Sequence, residues 1–81
     1  MKLVQEKVAV TGKGDRIKVS FLESPADGVL VRVDHPDGTT TTHGPWTEGG
    51  EKLSKEDGIR RGQCEAEDYL SARYGLAAWE R

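Results

Sequence analysis

The chain holds one cysteine and two histidines in 81 residues, so Cys64, His35 and His43 are its entire stock of thiol and imidazole groups. A metal ion or a Cys–His nucleophile would need them brought together. Their spacing fits no finger or ribbon pattern, and the surrounding residues place Cys64 on a helix flank, His35 in a turn and His43 at a strand end. The expectation is no metal, no cofactor and no catalytic residue.

Glu65, Glu67 and Asp68 are the nearest thing to a general acid–base set, but such a pair needs a cleft that raises one pKa. Helical spacing puts them on an outer face instead. There Glu56–Arg60, Asp57–Arg61 and Arg61–Glu65, each four residues apart, read as solvated ion pairs worth ~0.2–0.5 kcal/mol each. Gly12-Lys13-Gly14, with Arg16 close by, superficially suggests a phosphate loop. A phosphate cradle sits between a strand and a helix N-terminus, whereas this segment joins two strands, so a hairpin turn is expected.

The remaining candidates are for recognition. Trp46 stands in the glycine-rich stretch from Gly44 to Gly50, where a large ring either anchors a partner or closes over the core edge. Leu22 and Leu30 fall on the sheet face away from the helix, opposite each other in a hairpin. They are either covered by Leu76–Trp79 or form a contact surface. Arg32 and Lys18 share that face. Gly58 and Gly62 lie four apart on a helix flank near Tyr69, and each glycine costs ~1 kcal/mol relative to alanine. Close approach to the sheet, a helix that starts nearer Gly62, or a smooth patch for a partner's backbone would each explain them. The residues expected to face a partner are Trp46, Leu22, Leu30, Arg32, Tyr69, Glu65 and Asp68.

The elements that must position these side chains follow from hydrophobic period. Over residues 3–10, Val4, Val8 and Val10 share one parity with Glu6, which reads as a strand. Ile17, Val19 and Phe21 alternate with Arg16, Lys18 and Ser20 over residues 16–22. Val29, Val31 and Val33 do the same over residues 29–34. Ser24-Pro25-Ala26-Asp27-Gly28 and His35-Pro36-Asp37-Gly38 carry the turn chemistry between these runs. Residues 39–43, rich in threonine, make a polar edge strand. A helix is expected over residues 54–74, capped by Ser54 with Asp57 at its third position and closed by Gly75 in the left-handed region. Ile59, Ala66 and Leu70 form its sheet-facing stripe, and Leu76 folds back on the last turn before a short docked segment. The fold class is α+β, a four-stranded antiparallel meander followed by one helix on a sheet face, in a single domain of residues 1–81.

Composition narrows the function. A net charge of −2 gives no global attraction for phosphate backbones or anionic lipid. A lone cysteine cannot staple the chain internally, which favours a reducing compartment. No apolar run is long enough to span a membrane, and the N-terminus turns polar too early for a signal peptide, so a cytoplasmic, stand-alone product is expected. The expected function is a small non-enzymatic protein-binding module, an adaptor or inhibitor of a larger protein machine. Its most specific form, by analogy with free-standing small acidic domains that carry no chemistry, is a phage or mobile-element accessory protein such as an anti-CRISPR or other anti-defence inhibitor. The alternative is a nucleic-acid contact module using the basic outer sheet face, which lacks the aromatic residues that stack bases. A homodimer through a sheet edge or the Leu22/Leu30 face is the further option.

Overall fold

Glycine and proline punctuation sets where this chain reverses, and the runs between reversals pair as antiparallel strands. The computed structural model describes residues 1–80, the side chains of Leu76 and Ala77 excepted. The strands β1 (Lys2–Thr11), β2 (Arg16–Ser24), β3 (Gly28–Asp34) and β4 (Thr40–His43) follow one another as a meander. A two-residue hairpin comes next, β5 (Thr47–Glu48) and β6 (Glu51–Lys52), then helix α1 (Lys55–Tyr74) and strand β7 (Leu76–Trp79). The protein is α+β with an antiparallel sheet and one helix towards its C-terminus.

The sheet has five strands rather than the expected four, in the order β4-β3-β2-β1-β7. The extra strand is the segment expected to dock as a short turn. Gly75 takes φ 70° and its carbonyl accepts from Gly12 N–H at 2.8 Å, which swings the chain back along β1. Ala9 then pairs with Trp79 and Val10 with Ala78. The expected fold-back of the Leu76 side chain lies outside the described residues.

The core forms where the two clean alternations face the helix. Ile17, Val19 and Phe21 of β2 and Val29, Val31 and Val33 of β3 are buried against Ala66 and Leu70 of α1, with Ala9 of β1 beside them. Strand β1 departs from its expected parity. Leu3 pairs with Leu22 but Gln5 pairs with Phe21, so Val4 is the extra residue of a bulge and turns onto the core. Val8 and Val10 pair with Lys18 and Arg16 on the outer face, so the three valines do not share one side.

Helix α1 begins where Ser54 predicts, its hydroxyl accepting from Asp57 N–H at 3.2 Å, so a later start near Gly62 is excluded. Its buried face is Gly58, Gly62, Ala66 and Leu70, and Ile59 is only half-buried at the side of that stripe. The glycines explain the rotation. A β-carbon on Gly58 would come within 2.8 Å of Val29 Cβ, and one on Gly62 within 2.7 Å of Val31 Cγ2. The helix backbone therefore lies on the valine side chains of β3 and larger residues are displaced to the flanks. The smooth-patch reading of these glycines fails for the same reason. Among the described residues, no helix is long and apolar enough to cross a membrane.

Candidate functional site

The four helix-side residues singled out in the sequence converge. Glu65, Asp68 and Tyr69 are one turn apart on α1 and therefore share a flank. That flank meets the end of β4, and the loop after it brings in Trp46. Together with Thr42 and His43 they line one open groove. Trp46 is half-buried, its ring against Gly44 and 3.3 Å from where a Gly62 β-carbon would stand. It both closes the core edge and forms one wall of the groove. Glu65 is held by Arg61 at 3.1 Å, whereas no ion pair among the described residues involves the exposed Asp68. The Tyr69 ring packs on His43 with centroids 4.3 Å apart, and the Arg73 guanidinium stands 6.0 Å from its centroid.

The other three expected residues are on the opposite sheet face. Leu22 and Leu30 pair directly across β2 and β3, as expected. β7 joins the sheet edge in plane and does not fold beneath them. Leu30 is nonetheless buried, at 7% exposure, and Leu22 is half-buried, so the exposed apolar residue of that face is Leu3, at 51%. Arg32 pairs across from Ser20, whose hydroxyl is fully buried without a hydrogen-bond partner. Asp34 lies 3.9 Å from both Lys18 Nζ and Arg32 Nε, and Glu80 binds Arg16. Each basic side chain of this face thus has a carboxylate beside it.

A polar network between sheet and helix is absent from the sequence reading. His35, only 5% exposed, is met by Tyr74 Oη at Nδ1, and at Nε2 by Thr41 Oγ1 at 2.8 Å and Tyr69 Oη at 3.2 Å. Thr41 Oγ1 in turn reaches His43 Nε2 at 3.0 Å. Arg73 Nε donates to Tyr74 Oη at 3.2 Å. One donor order satisfies the whole chain: Arg73 to Tyr74, Tyr74 to His35 Nδ1, His35 Nε2–H to Thr41, and Thr41 to His43 Nε2. His35 thus ties β4 to α1. Burial, then the nearby His35, lowers the pKa of His43, with Glu65 opposing.

The two histidines meet through Thr41, but Cys64 does not join them. It is exposed and lines a separate depression with Asp57, Arg60 and Arg61. Among the described residues no group of three His, Cys, Asp or Glu side chains is placed to hold a metal. Glu67 is not on the outer face: it accepts from Trp79 Nε1 at 2.8 Å and ties α1 to β7. Of the three expected helix ion pairs, Arg61–Glu65 forms, while Arg60 turns to Asp57 at 3.3 Å. The Gly12-Lys13-Gly14 turn has no free amide for a phosphate. Gly12 N–H goes to Gly75, Gly14 N–H to the Thr11 carbonyl, and those of Lys13 and Asp15 to Thr11 Oγ1. No known family, curated protein or solved structure matches the chain.

Proposed function

We propose that this chain is a small non-enzymatic protein-binding module that acts as an adaptor or inhibitor of a larger protein machine. The observation that carries the reading is the groove between β4 and α1, where Trp46, Tyr69, Glu65 and Asp68 stand together. Aromatic side chains that combine a large rigid surface with a polar atom are the residues that most often dominate protein contacts. A phage or mobile-element accessory role, such as an anti-CRISPR inhibitor, is the most specific version and rests on analogy with small acidic domains that carry no chemistry.

The nucleic-acid alternative is favoured less, because Lys18, Arg32 and Arg16 already have Asp34 and Glu80 as neighbours. Phosphate contacts release counterions and make binding fall steeply with salt. The test is capture from host lysate with the wild-type chain and with Trp46→Ala, at 50 mM and 300 mM salt. A protein retained at both salts and lost with Trp46→Ala supports the reading. Nucleic acid retained at low salt only, with no protein dependent on Trp46, overturns it.

A further inference from the structure

We propose that the groove between β4 and α1 receives an extended segment of a partner protein, which adds to the β4 edge and places one lysine or arginine side chain between Glu65 and Asp68. This rests on the protein-binding reading above and names the partner's chemistry. Two independent features carry it. The first is that, among the described residues, β4 pairs with β3 on one side and ends the sheet on the other. Its residues Thr40, Thr41, Thr42 and His43 include no lysine, proline or bulge, the devices that usually block strand addition. An added strand would find main-chain donors and acceptors along this edge.

The second feature is where such a strand would send its side chains. Thr41 and His43 pair with Val33 and Val31, both core-facing, so they project to the helix side of the sheet. A residue of an added strand placed opposite His43 projects the same way, since directly paired residues share a face. It therefore points at the flank of α1 that carries Glu65 and Asp68. Glu65 is paired with Arg61, while Asp68 has no ion-pair partner among the described residues, so Asp68 is the carboxylate of this flank that a basic side chain would neutralise. The ring of Trp46 borders the same space and favours a cation over an anion, because an aromatic face is electron-rich, whereas Tyr69 already packs on His43 with the Arg73 guanidinium 6.0 Å from its centroid. A long aliphatic stem ending in a charge fits an aromatic wall with carboxylates beyond it.

The test is selection of a displayed library of random nine-residue peptides on the intact chain, followed by measured binding of the enriched peptides. The expected result is a lysine or arginine at one fixed position. Changing it to glutamine weakens binding at least tenfold, as does the double substitution Glu65→Gln with Asp68→Asn, whose thermal melt stays that of the wild type. Bound peptide also slows amide exchange along β4. Enrichment without a fixed basic residue, insensitivity to the double substitution, or no enrichment at all overturns the proposal. If any of these occurs while lysate capture still depends on Trp46, the protein-binding reading stands and only the cationic, strand-adding partner falls.

Discussion

A β-carbon added to Gly62 would stand 2.7 Å from Cγ2 of Val31, so α1 lies on β3 at backbone distance. The same atom would come 3.3 Å from both Phe21 and Trp46. Alanine is favoured over glycine inside a helix by ~1 kcal/mol, while forcing a methyl into a packed core costs ~1–3 kcal/mol. Val31 is β-branched and fully buried, so it has little room to yield. Gly62→Ala is expected to lower stability by about 1–2 kcal/mol, read from denaturant melts. Adding Val31→Ala should give a loss smaller than the sum of the two single changes, because the methyl then has space. A more stable Gly62→Ala variant would show that the helix is not seated this closely.

Removing the two tyrosine hydroxyls should not have equal effects. Among the described residues Tyr74 is the one partner of His35 Nδ1, whereas Nε2 has both Thr41 and Tyr69, the latter at the longer 3.2 Å. A buried acceptor left empty costs ~1–3 kcal/mol. Tyr74→Phe is therefore expected to destabilise by about that amount, and Tyr69→Phe by clearly less. Nitrogen NMR of the imidazoles should show His35 protonated on Nε2. A proton on Nδ1 instead would reverse the donor order from Tyr74 to His43.

On the outer sheet face, burial separates leucines that look alike in sequence. Leu30 is 7% exposed and Leu3 is 51% exposed. Truncating a buried leucine to alanine costs ~2–5 kcal/mol, and truncating an exposed one usually lies within ~0.5 kcal/mol of neutral. Leu30→Ala is expected at the low end of the first range, since only half-buried Leu22 is its direct cross-strand partner, and Leu3→Ala near zero. Equal melting temperatures for the two variants would mean that Leu30 has no structural role there.

The strand pattern was readable because Ile17, Val19, Phe21 and Val29, Val31, Val33 keep a period of two without interruption. The groove wall was readable in part, since Glu65, Asp68 and Tyr69 share a helix flank through spacing alone. What failed has physical causes. Glycine contributes nothing to a hydrophobic count, so the expected stripe centres on Ile59 rather than on Gly58 and Gly62, although close approach of these two glycines to the sheet, one of the expected explanations, is what the structure shows. Strand β7 is four residues long and earns its place by pairing with β1, at the far end of the chain. The His35 network joins residues 34 and 39 positions apart, a distance over which no periodicity acts. The β5–β6 hairpin has only two residues a side and is held by positive φ at Gly49 and Gly50.

His43 gives the protein a pH response of known sign. Its pKa is lowered from the ordinary value near 6.5, first by burial and then by His35, while Glu65 pulls the other way. In the unfolded chain the ring takes up a proton as pH falls through about 6.5, and in the folded protein it does so only at lower pH. Between those two points the unfolded state binds more protons, so stability drops as the solution is acidified. Asp37, held below the usual carboxylate range by the hydroxyl and amide of Thr39, acts in a separate window below about pH 4. The expected outcome is that urea midpoints fall from pH 7.5 to pH 5.0 in the wild type and fall less in His43→Gln. The comparison between the two proteins isolates this ring from the other titrating groups. A His43→Gln variant as acid-sensitive as the wild type would place the response elsewhere.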